Sequence, residues 1–205
     1  MLEEVKLAFS ENKMAIYTSI AIMAISLVLG YFLEPYMHSY LNPVVEDLTQ
    51  KVQTGVITLT FQSIFLNNIR IVFAMFIYGG IFCFSAVILG FNGFFVGYYV
   101  ATTDDFVKAL LLIMPHGIFE FSSCIIACAS GFVLFNSLVK FLKTLLKQEN
   151  NSIRDRLSIS FDTGFGKLKQ AFVLFVVASI LMAIAGFIEA YLTLPIAEFI
   201  YPFLS

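Results

Sequence analysis

The chain has 205 residues and a formal net charge of −2. Apolar residues make up 60% of it and charged residues only 13%, about half the charged share of a soluble domain. With 24 phenylalanines and a mean hydropathy of +0.90, this excludes an ordinary soluble fold and points to an all-α integral membrane protein. The absence of a basic arm or of interleaved aromatic and basic residues excludes nucleic acid as a partner.

Residues 1–13 mix charges, with Glu3, Glu4, Lys6, Glu11 and Lys13 around Leu2, Val5, Leu7 and Phe9. They read as a cytosolic or interfacial helix leading into the membrane. Residues 14–33 carry no charge and are long enough to cross a bilayer. Tyr31-Phe32-Leu33-Glu34-Pro35 is a poor cleavage site, so this is an uncleaved first span. Over 36–66, Val44, Val45, Leu48, Val52, Val56 and Leu59 recur at three- and four-residue steps, with Glu46, Asp47, Gln50, Lys51 and Gln53 between them. That is an amphipathic helix for the membrane surface or the side of the bundle, with Gly55 as its breaker.

A second span is expected over about 70–90, with Arg70 snorkelling to the interface. The stretch 91–114 is apolar but interrupted by Asn92-Gly93 and by Thr102-Thr103-Asp104-Asp105. It reads as one irregular span or two half-helices, which survive at membrane depth only when buried in protein or lining a cavity. Gly93 and Gly97 form a small-xxx-small pair. Pro115 suits the first turn of a helix and opens a fourth span over 116–138. There Ser123, Ala127 and Gly131 make a small-residue stripe for helix packing. The loop 139–170 holds seven of the twelve basic residues, which places it and the amino terminus in the cytoplasm, and segment 36–66 and the carboxyl end outside. Gly164-Phe165-Gly166-Lys167 fails as a phosphate loop, because Phe161 and Leu168 stand where glycine and Ser or Thr belong. The last span covers 171–193. Residues 1–205 thus form a single membrane domain: about five transmembrane helices, one irregular segment and an amphipathic outer helix.

His116 and Glu120 share a helix face, with Cys124 one turn on. Glu120 and Glu189 both lie in apolar helices, where an ionised group facing lipid costs about 2.5–3.5 kcal/mol. Both therefore point inward, to a polar cluster with His116 that also draws in Asn68 and Asn92. Three readings of the cluster stay open: a divalent metal site on His116, Glu120 and Glu189; a proton or ion path; or a structural hydrogen-bonded group favoured by a helix start at Pro115. The cysteines Cys83, Cys124 and Cys128 sit in apolar runs and read as small core residues, with a soft-metal pair at Cys124 and Cys128 as the alternative. No cofactor is otherwise expected.

Four runs carry a family resemblance: Phe65-Leu66-Asn67-Asn68, Asn92-Gly93-Phe94-Phe95-Val96-Gly97, Pro115-His116-Gly117-Ile118-Phe119-Glu120 and Ile188-Glu189-Ala190. Together they resemble the stage II sporulation protein M family, the Pro-His-Gly-x-x-Glu run being the most specific. The resemblance implies a polytopic membrane fold. In spore formers the family's namesake acts with two partners, one a peptidoglycan hydrolase, and homologues also occur in bacteria and archaea that do not sporulate. The function expected here is a non-catalytic membrane scaffold or assembly component. Its partners would be membrane lipids, other membrane or envelope proteins, and a second copy of itself. The alternative is a channel or transporter-like protein moving an ion or small solute. No nucleophile–base pair or soluble catalytic domain speaks for an enzyme.

Overall fold

The computed structural model describes residues 2–55, 60–81, 84–147 and 153–203. Cys83, Val56, Leu59 and the tip of the basic segment at 148–152 lie outside the described residues, as do the side chains of Leu48, Val52 and Gln53. Among the described residues there are eight α-helices and no strand: α1 Leu2–Glu11, α2 Lys13–Phe32, α3 Glu34–Gln53, α4 Phe61–Gly79, α5 Phe84–Ala101, α6 Phe106–Lys147, α7 Ile153–Tyr191 and α8 Thr193–Ile200. A 3-10 turn over Tyr201–Phe203 follows. Helices α2, α4, α5, α6 and α7 are each long and apolar enough to cross a membrane, so this is a multi-pass membrane protein.

The helix ends follow local chemistry. Gly55, at φ 74°, takes the left-handed conformation just beyond α3 that other residues resist. Thr60 then caps α4, its hydroxyl accepting from the Ser63 amide at 3.3 Å. Asp105 caps α6, its carboxylate accepting from the Lys108 amide at 2.9 Å.

Three boundaries depart from expectation. The second span ends at Gly79 rather than continuing to 90, and α5 takes 84–101 as one regular helix. Asn92 and Gly93 lie inside α5, not in a turn, because Gly93 and Gly97 serve close packing instead. The stretch 106–114 belongs to α6, so Pro115 is inside that helix and not in its first turn. A transmembrane helix tolerates this because neighbouring groups can satisfy the carbonyl freed by the missing amide. Glu120 is consequently about four turns from the helix start, too deep for the dipole to favour it. The basic segment 139–170 is also no loop. Among its described residues α6 runs on to Lys147, and α7 begins at Ile153.

Close contacts set the arrangement. Ser123 Oγ donates to the Ala178 carbonyl at 2.7 Å, and Ser137 Oγ to that of Gly164 at 2.9 Å, which makes α6 and α7 an antiparallel pair. At its far end Arg156 donates to the Leu145 carbonyl from Nε at 3.1 Å and Nη2 at 2.6 Å, satisfying an oxygen the end of α6 leaves unpaired. With 42 and 39 residues these helices are each about 60 Å long, against a hydrocarbon core of ~30 Å. The pair therefore extends past the bilayer as an arm. Helix α4 runs parallel to α6, with the backbones of Gly79 and Gly131 in contact. Helix α5 runs parallel to α2, with Gly97 on the Leu27 backbone and Gly30 on that of Phe94. Half of the most apolar window of α6 is buried, against 17% for α4, so α6 is the central helix. Its Cys124, Ala127, Cys128 and Val133 meet Leu174, Ala178 and Met182 of α7 and Val72 and Met75 of α4 in the core.

Both ends are tied down. At one, Lys167 reaches Glu11 Oε2 at 3.0 Å, Asn12 Oδ1 at 3.2 Å and Gln170 Oε1 at 2.8 Å, and Lys169 pairs with Glu4. These contacts dock α1 on α7. At the other end the Tyr201 hydroxyl donates to Asp105 Oδ2 at 2.5 Å. That hydrogen bond holds the Asp105 carboxyl below its ordinary range and pushes the Tyr201 phenol up. Tyr201→Phe should let Asp105 titrate closer to an ordinary aspartate and raise amide exchange over 201–203. Unchanged exchange there would show that the turn is held by other contacts.

Candidate intramembrane site

His116 and Glu120 project from successive turns of α6, with Nε2 and Oε2 3.8 Å apart. Glu189 joins them from α7, near the end of that helix. One ligand atom from each of the three side chains lies within 4.8 Å of the other two. The side chains of His116 and Glu120 are 13% and 19% exposed even with no lipid around them.

The imidazole is oriented from its other side. His116 Nδ1 lies 3.2 Å from Thr193 Oγ1, and the Thr193 hydroxyl donates to the Ile188 carbonyl at 3.2 Å. A hydroxyl has one proton. With that proton on Ile188, Thr193 accepts from Nδ1–H, and the network assigns the tautomer that leaves Nε2 with its lone pair toward Glu120. Thr193 is 5% exposed and opens α8. Sequence reasoning missed this residue. The available signal was Thr193-Leu194-Pro195, a start pattern with proline in a first turn.

Asn68 and Asn92 are not bonded to this group. Asn68 Oδ1 accepts from Asn67 on the same helix at 3.3 Å. Asn92 is half-buried on α5, whose closest approaches are to α2. Arg70 is exposed on α4 and forms no ion pair with Glu120 or Glu189. Cys124 and Cys128 are fully buried and form no disulfide, and neither contributes to the three-residue group. Ser123 and Ala127 are fully buried beside α7, and Gly131 is pressed against α4.

Chemically the site brings two carboxyl groups and an imidazole nitrogen together, able to hold protons or a cation. The fold and this group define a multi-pass helical membrane protein with an acidic-histidine site between two central helices. Residues 19–194 match the family model described as Stage II sporulation protein M, and the chain belongs to that family. Two uncharacterized proteins of Methanocaldococcus jannaschii are similar to it. One is 33% identical over 70% of this chain and 76% of its own length. The other is 29% identical over 98% of this chain and 91% of its own. No solved structure matches the chain.

Proposed function

We propose that the protein is a non-catalytic membrane scaffold or assembly component that holds a partner protein through the α6–α7 arm. The supporting observation is the surface of that arm. Leu138, Phe141, Phe161, Phe165 and Leu168 line an apolar groove of about 220 Å³. Phe161 and Phe165 are stacked 5.7 Å apart and more than half exposed. An exposed apolar groove calls for a cover, and a partner's amphipathic helix fits a groove of this kind. Family membership favours a partner that acts at the envelope. Lipid acyl chains would cover the exposed apolar faces of the spans, and a second copy is the other candidate for a protein contact.

A photo-crosslinking residue at Phe165, used in native membranes, should give a discrete protein adduct that is lost on Leu138→Lys. Adducts to lipid alone would overturn the scaffold reading. The converging polar groups of the intramembrane site favour a second reading, movement of an ion or small solute. Selective flux through purified protein in liposomes would put it in place of the first.

The excess of basic residues on the arm supports a cytoplasmic position for the arm and α1, with α3 and the carboxyl end outside. Single cysteines at Lys143 and Thr49, in a chain lacking the native three, should react from opposite sides of the membrane. Reaction of both with one impermeant reagent in intact cells would reverse this assignment.

A further inference from the structure

We propose that His116, Glu120 and Glu189 bind a divalent transition-metal ion of the zinc class, with Thr193 as the residue that positions the imidazole. This goes beyond the scaffold reading and stands independently of it.

The first observation is chemical. Two carboxylates and one imidazole nitrogen converge within 4.8 Å, and among the described residues no hydrogen-bond donor reaches either carboxylate. Arg70 on α4 is turned outward, and every described lysine lies elsewhere. Acceptors gathered in a poorly solvated space repel one another unless a positive species joins them. The second observation is the imidazole. Its Nδ1 lies 3.2 Å from Thr193 Oγ1, and the Thr193 hydroxyl donates to the Ile188 carbonyl at 3.2 Å, which assigns the Nδ1 proton to the imidazole. Metal-ligating histidines are oriented in this way, the far nitrogen bound to a neighbour and the near one left bare.

The geometry accommodates an ion. Nitrogen and oxygen ligands sit ~2.0–2.2 Å from zinc, so neighbouring ligand atoms are about 3.4 Å apart around it. The separation of 3.8 Å between Nε2 and Oε2 is close to that, and a rotation of the Glu189 side chain brings in the third. One nitrogen and two carboxylate oxygens suit borderline ions better than soft ones. Three protein ligands leave a fourth position for water or another ligand. Access runs from the α8 end, since Glu189 lies two residues before the end of α7 and Thr193 is the first residue of α8. The α1 end of the bundle is remote from it.

The test uses the full chain, purified in detergent, stripped with chelator and dialysed against Zn²⁺. Elemental analysis should find close to one zinc per chain, and Co²⁺ should give visible bands of a protein-bound ion. Glu189→Gln and His116→Ala should abolish both signals, while Glu198→Gln, on an exposed stretch of α8, should keep them. Thr193→Val keeps all three ligands but frees the imidazole, and should weaken Zn²⁺ binding about 10–100-fold. That graded loss is the readout that remains if a ligand variant fails to fold. The proposal is overturned if stripped wild type unfolds cooperatively yet takes up no more Zn²⁺ than His116→Ala. It is overturned equally if Thr193→Val binds Zn²⁺ as tightly as wild type.

Discussion

Gly131→Leu should lower stability by about 3 kcal/mol, the upper part of the range for forcing bulk into a packed interior. A Cβ at position 131 would stand 2.6 Å from the Met75 carbonyl oxygen, 2.9 Å from Ser85 Oγ and 3.0 Å from the Gly79 Cα. Two of these neighbours are backbone and cannot rotate away, so α4 and α6 would have to separate. Their separation would loosen Val72 and Met75, both fully buried, along with the contacts they make. Thermal unfolding in detergent measures the effect. Gly166→Leu is the matched control, since a Cβ there meets nothing within 4 Å. If the two variants melted alike, the crossing at Gly79 and Gly131 would not be the tight contact described.

Lys167→Met should release α1 from the bundle, at a cost of about 2 kcal/mol. The Lys167 ammonium is the shared donor to Glu11, Asn12 and Gln170, and its side chain is only 17% exposed. Asn12 and Gln170 are 7% and 9% exposed; removing the lysine takes the donor from Asn12 Oδ1 where water reaches poorly, while Gln170 Oε1 keeps the Asn12 amide at 2.9 Å. Glu11 is far more open and contributes less. Amide exchange over residues 2–11 should rise while that of α4–α6 stays unchanged. Acid should act in the same direction. Hydrogen bonds from Gln170 and Lys167 and the lysine's charge hold the Glu11 carboxyl below its ordinary value, and Lys169 does the same for Glu4. A carboxyl depressed in the folded state stabilises it above the unfolded pKa and loses that contribution as pH falls through the folded one. Docking of α1 should therefore be intact at neutral pH and fail below the ordinary carboxylate range. Docking that persists in Lys167→Met at neutral pH would show that the buried Ala8 alone holds the helix.

The number of spans was readable because lipid demands long uncharged runs, and composition records that demand directly. Their ends were not, because glycine and proline mean different things in lipid and in water. Asn92-Gly93 reads as a turn, yet Gly93 lies against Ser26 and Met23 of α2, where any side chain would clash. Gly79 and Gly80 allow close helix approach or a bend, and the structure uses the first: Gly79 packs on the Gly131 backbone where α4 ends. Pro115 reads as a beginning, yet α6 starts at the Asp105 cap. His116 and Glu120 were legible because helical spacing alone puts them on one face. Glu189 followed from the expense of a charge in lipid. Thr193 did not, since its role depends on α8 folding back on α6, a tertiary event with only a weak local mark. Asn68 and Asn92 were assigned to the cluster on polarity, and polarity carries no address: one bonds its own neighbour, and the other sits half-buried on α5.

The pairing of α2 with α5 carries a consequence for biogenesis. The nearest contacts of α2 are to Phe94 and Gly97, which the ribosome adds more than sixty residues later. Until then α2 must wait in the bilayer as a solitary helix, with α3 beside its end but barely touching it and α4 committed to a different neighbour. An uncharged run from Met14 to Phe32 makes that wait tolerable, because such a helix is stable in lipid before it meets a partner. Helices α6 and α7 face no such delay, since each is the other's sequence neighbour and can pair as it emerges. The α2–α5 pair can form before α6 and α7 are complete, and the carboxyl-terminal hairpin then joins it. A chain truncated after α4 would leave α2 permanently unpaired, an easy target for membrane quality control.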